Sequence, residues 1–108
     1  MRAGEIVIMN QTPLLLSEDK KKLVCDKWEK DVNKLKVPLP SKLRDLVRYI
    51  ISHCDFQGVL FGSVEELARE VEMPRHQARA GLQALERANL LKRKNGITIV
   101  TDERLWAL

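Results

Sequence analysis

The side chains of this chain best suited to gripping another molecule are Arg75, His76, Gln77, Arg79, Ala80 and Gln83, followed by Lys92, Arg93, Lys94 and Asn95. They lie in one stretch, "MPRHQARAGLQALERANLLKRKNG", which holds six basic residues against the single acid Glu86. That is an excess of +5 (6 − 1) in 24 residues, whereas the whole 108-residue chain carries +4. Arginine and glutamine pair bidentately with guanine and adenine edges, an alanine methyl can lie against a thymine methyl, and lysine neutralises phosphate. The chemistry such a set offers is recognition of a polyanion, and double-stranded DNA is the partner expected.

Other chemistry is poorly served. The sequence contains no phosphate-binding GxxxxGK, no GxGxxG, no HExxH and no nucleophile elbow. Cys25, His53, Cys54 and His76 could nominally supply four metal ligands, but no CxxC pair occurs, and adjacent helical residues such as His53 and Cys54 point about 100° apart. Neither an enzyme nor a bound metal, cofactor or small ligand is expected. The two cysteines form no disulfide framework. The opening "AGEIVIMNQTPLLL" is a poor export signal, and no apolar run approaches the roughly 20 residues of a membrane span, so a cytoplasmic setting is expected.

The elements that must position the basic residues can be read from periodicity and caps. "GEIVIM" (Gly4–Met9) predicts a short edge strand. Ser17 caps a helix through "EDKKKLVCDKWEKDVNKLK", whose stripe Val24, Trp28, Val32 and Leu35 either docks on the domain's own core or, in the sharper reading, serves as a homodimer contact anchored by tryptophan. "VPLP" breaks that helix. Ser41 would cap the next, in which Leu43, Leu46, Val47, Ile50 and Ile51 recur at core-facing spacing. "VLF" is a very short strand. "SVEE" reads as a capping box from Ser63 to Glu66, opening a third helix that stops before Pro74.

A fourth helix buries Ala78, Gly81, Leu82 and Leu85. At 100° per residue, Leu82 and Leu85 lie within about 40° of Ala78, which turns Arg79, Ala80 and Gln83 outward. Asn89 suits the left-handed end of that helix, and "LLKRK-NG-ITIVT" predicts a hairpin because both residues of a type I′ turn need positive φ. The expected fold is therefore α+β and mostly helical. It is a winged helix-turn-helix with a C-terminal β-hairpin wing over residues 41–108, preceded by a strand-helix extension over 1–40. The acids Glu65, Glu66, Glu70 and Glu72 on the third helix weigh against tight DNA binding along it.

The run "EVEMPRHQARAGLQALERANLL" resembles the second half of bacterial winged-helix DNA-binding domains. Ala78, Gly81-Leu82, Leu85-Glu86 and Asn89-Leu90-Leu91 stand at their apolar and turn positions. Glu72 takes the place of the usual turn glycine, and Pro74 that of the capping serine. Over residues 41–108 the chain is similar to plasmid replication proteins of the RepL type, on "LVRYIISHCDFQGVL" with Tyr49, His53, Asp55 and Val59 in step and Trp106 in the tail. The resemblance implies DNA binding by the fourth helix and hairpin, used in transcriptional regulation or plasmid maintenance. The competing reading is a winged-helix module that holds proteins.

Overall fold

Residues 14–107 are described by a computed structural model, so the strand expected at Gly4–Met9 lies outside the described residues. Helix α1 spans Glu18–Asn33, α2 Leu43–His53, α3 Val64–Val71, α4 Arg75–Arg87, and a last turn α5 Arg104–Ala107. Strands β1 (Val59–Phe61), β2 (Leu91–Lys94) and β3 (Ile97–Val100) form one antiparallel sheet in the order β1-β3-β2. The architecture is α+β and mostly helical. No helix among the described residues is long and apolar enough to cross a membrane.

Local signals act where the residue types demand. The Ser17 hydroxyl accepts from Lys20 N at 3.2 Å, and Glu18 and Asp19 occupy the first turn of α1, where the helix dipole favours acids. Ser63 and Glu66 close a reciprocal capping box, at 3.0 and 3.1 Å. Two features expected from sequence differ. Helix α1 ends at Asn33 in a turn rather than at Lys36, which is left-handed with φ 55°. Ser41 does not cap α2: Lys42 holds that position without a side-chain bond, and Leu43 N donates to Pro40 O instead. The rigid Val37–Pro40 connector itself supplies the turn.

One core unites these elements. The whole stripe of α2, together with Leu67, Ala68 and Val71 of α3 and Ala78, Leu82 and Leu85 of α4, is buried with Leu60, Leu90, Leu91 and Val100 of the sheet region. Val24, Trp28 and Val32 of α1 belong to the same cluster, with Leu35 packed at its edge. Helix α1 therefore lies against α2 and α4 as part of one body with residues 41–107. This corrects the reading of Val24, Trp28, Val32 and Leu35 as a dimer contact. Trp28 is 0 % exposed, and its Nε1 donates to the buried carboxylate of Asp102 at 2.7 Å, so Val24, Trp28 and Val32 are taken up by the chain's own core.

The segment after β3, legible in sequence only as a tail, closes this core. Asp102 accepts from Arg104 N at 3.1 Å and from Arg104 Nε at 2.9 Å, Arg104 pairs with Asp31 of α1, and Leu105 is buried. Trp106 lies over Gly58, where a Cβ would meet its ring at 2.9 Å, and donates to Phe56 O. At the same end of β1, Asp55 Oδ1 accepts from Gln57 N and Val59 N, forming the turn that launches the strand. Cys25 and Cys54 are buried and unpaired thiols; burial, then the nearby Asp55, pushes Cys54 up to about 11.

Candidate functional site

Helix α4 is built to present one face. Pro74, in extended conformation, occupies its N-cap, which suits a residue without an N–H at a helix start. The preceding turn is made by Glu72, left-handed at φ 59°, with its N–H bonded back to α3. A non-glycine residue thus holds the turn position, assisted by Lys42 Nζ, which donates to Glu72 O at 2.9 Å. At the far end, Ala88 closes the helix and Asn89 takes φ 61°, the conformation asparagine tolerates.

Between these ends the two sides of α4 differ completely. Ala78, Gly81, Leu82, Ala84 and Leu85 are buried; Arg75, His76, Arg79, Ala80, Gln83 and Arg87 are exposed. Gly81 permits the close seat of α4 on α2: a Cβ there would meet Leu46 Cδ2 at 3.0 Å and Leu43 Cδ1 at 3.3 Å. Arg75, His76, Arg79, Ala80 and Gln83 line one open surface depression of about 360 Å³. Five of the six residues expected on the recognition face thus converge. The sixth, Gln77, is half-buried at the flank.

Two neighbours of this face were not placed on it from sequence. Glu65 of α3 pairs with Arg75, Oε1 to Nε at 2.6 Å. Its carboxyl lies below the ordinary value, chiefly through the backbone amide at the start of α3 and then through Arg75 and Arg79. Val37 and Pro38 of the connector flank a smaller depression with Ala80, Gln83 and Arg87. No local pattern announces either, because both are brought beside α4 by packing alone.

The hairpin is positioned by its tip. Asn95 and Gly96 both have positive φ, 51° and 76°, as a type I′ turn requires. Gly62 N donates to Gly96 O at 2.8 Å, tying the turn to the residue before the α3 cap. Lys92, Lys94 and Asn95 are exposed, with Gly96 half-buried beside them at the turn. Arg93 is not part of that free basic set. Its guanidinium turns across the sheet to donate to Thr98 Oγ1 at 2.5 Å and to Gly62 O at 3.1 Å, and burial draws its pKa down from the ordinary value. The alternation of a strand explains the correction: Arg93 pairs with Thr98, on the face opposite Lys92 and Lys94. In this position the side chain braces the wing.

The basic residues therefore form two exposed groups, one along α4 and one at the hairpin, carried on a frame in which α3, α4 and β2–β3 are mutually fixed. The two histidines lie apart: His53 stacks on Tyr49 at 4.1 Å and its Nδ1 meets Tyr49 O at 2.9 Å, whereas His76 stands on the exposed face of α4. Comparison with protein-family models, with curated proteins and with solved structures finds no match to this chain.

Proposed function

We propose that the chain is a winged helix-turn-helix protein that binds double-stranded DNA, with α3 and α4 as the helix-turn-helix and β2–β3 as the wing. The observation that carries this reading is the convergence of Arg75, His76, Arg79, Ala80 and Gln83 on one open face of a helix whose other face is buried. A helix of 13 residues is about 20 Å long at 1.5 Å per residue, and the DNA major groove, roughly 12 Å wide, admits it. In this docking Arg75 and Gln77 enter near the helix tip, Arg79 and Gln83 face base edges or flanking phosphates, and Lys92, Lys94 and Asn95 meet the backbone beside the groove. The strand order β1-β3-β2, with β1 inserted between α2 and α3, fits such a domain. Use in transcriptional regulation or in plasmid maintenance accords with the resemblance to RepL-type replication proteins, and sequence-specific sites would engage two copies of the chain.

The test is an anisotropy titration of labelled random-sequence duplex DNA at several salt concentrations, comparing the intact chain with Arg79→Ala combined with Lys92→Ala and Lys94→Ala. Log affinity should fall linearly with log salt for the intact chain. The slope should shrink by about 0.9 for each phosphate that the variant no longer neutralises. Binding indifferent to both salt and substitution would favour the protein-interaction module instead.

A further inference from the structure

We infer that Glu65 is a positioning residue that aims Arg75 at a base edge, so that the acid on α3 serves sequence discrimination rather than merely opposing the DNA backbone. The inference rests on the DNA-binding reading of α4. Glu65 meets Arg75 through Nε, at 2.6 Å. An ion pair made at Nε leaves the terminal Nη1–Nη2 edge for another partner, and that edge is the one that matches N7 and O6 of guanine end-on. Arg75 is the first residue of α4 and lines the depression with Arg79 and Gln83, so the freed edge lies at the helix tip that leads into a groove.

The backbone amide at the start of α3 and Ser63 also draw on the Glu65 carboxylate, which anchors it beside Arg75 rather than replacing that pair. The capping box of α3 is completed by Ser63 and Glu66, not by Glu65. The helix dipole favours any acid in that first turn but does not direct it at Arg75. Both partners are about half exposed, 59 % for Arg75 and 50 % for Glu65, so in the free protein the pair contributes little to stability. Docking on DNA would strip its water and strengthen it, at the moment when orientation matters. An arginine without such a partner can swing to the nearest phosphate, which binds every sequence alike. The carboxylate makes that alternative unfavourable by attracting the Nε side of the guanidinium and by repelling phosphate from its own side.

The experiment uses the full chain and a duplex selected by it from a random-sequence pool. Affinity is measured by anisotropy for the selected duplex and for duplexes altered one base pair at a time. Glu65→Ala should lower the discrimination at one G·C pair by about tenfold, within the roughly 1–3 kcal/mol carried by a bidentate contact. It should not lower affinity for the random pool. Arg75→Ala should lose discrimination at the same pair, and the double variant no more than either alone, as coupled residues require. Glu65→Gln, which keeps the size and polarity of the side chain without the charge, should fall between wild type and Glu65→Ala. Glu70→Gln, a charge change on the same helix away from Arg75, should leave discrimination intact. If Glu65→Ala raises affinity for all duplexes equally and discrimination survives, Glu65 is only a repelling charge and the inference is overturned. It is overturned equally if Arg75→Ala costs no discrimination, or if the pool yields no preferred sequence while salt-dependent binding persists. Absence of any salt-dependent binding by the wild-type chain would instead sink the DNA reading itself, and the inference with it.

Discussion

Asp102 shows how much one carboxylate can organise. It is nearly buried, yet it accepts from the Trp28 indole, from the Arg104 backbone and from the Arg104 side chain, joining the C-terminal turn to α1. Burial alone would raise its pKa; the hydrogen bonds from Arg104 and Trp28 outweigh this and hold it below the ordinary value. A carboxyl depressed in the folded state stabilises above its unfolded pKa of about 3.9, and this stabilisation is lost as pH falls through the lower folded value. Asp102→Ala should cost roughly 2 kcal/mol at neutral pH, because it leaves a buried indole N–H without an acceptor. Urea denaturation at pH 7 and at pH 3 checks the sign: the gap between wild type and Asp102→Asn should narrow at the lower pH. An undiminished gap would mean that the carboxylate's charge plays no part. At the same scale, Arg93 warns that a basic residue between two others need not share their role. Its neighbours Lys92 and Lys94 face solvent while it braces the sheet.

At the scale of elements, the exposed face of α4 is only as well defined as the packing of its hidden face. Gly81 is the place where that packing is closest, against Leu43 and Leu46 of α2. Alanine would gain about 1 kcal/mol in helix propensity, yet its Cβ must displace Leu46, itself 0 % exposed and unable to retreat. Overpacking of this kind typically costs about 1–3 kcal/mol. Gly81→Ala should therefore lower the thermal midpoint, by an amount consistent with about 1 kcal/mol of net destabilisation. A raised midpoint in calorimetry would show that α4 can shift outward without penalty. The wing is an element of a different kind, held at its tip by Gly62 N and at its strand by Arg93, both on the residue that precedes the α3 cap. These bonds fix the hairpin to the start of α3, while α4 is held to both by the shared apolar core.

For the whole molecule, the burial of Trp28, Val32 and Leu105 together with the α2 and α4 stripes predicts a single cooperative unit. Unfolding in urea, followed by tryptophan fluorescence and by far-ultraviolet circular dichroism, should give coincident transitions. Loss of the fluorescence change before the helical signal would show that α1 and the C-terminal turn detach as a separate layer. Much of this architecture was legible in the residues. The Ser63–Glu66 box, the Asn95-Gly96 turn, Asn89 at the end of α4 and the α2 stripe each depend on interactions within a few positions, so spacing and residue type determined them. The division of α4 into a buried and a basic face is of the same kind, since a 3.6-residue period sorts side chains before any tertiary contact exists. What only the tertiary structure decided is where long-range partners meet. An apolar stripe on α1 suits a core and a dimer equally until α2, α4 and Asp102 close around it. The middle residue of Lys92-Arg93-Lys94 is free or bound depending on whether Thr98 lies across the ladder. An acid on α3 is a lone charge or an arginine's partner depending on which side chain packing sets beside it. The physical reason is common to all three: burial and pairing are properties of surfaces brought together from distant parts of the chain, and local sequence carries the surfaces but not their neighbours.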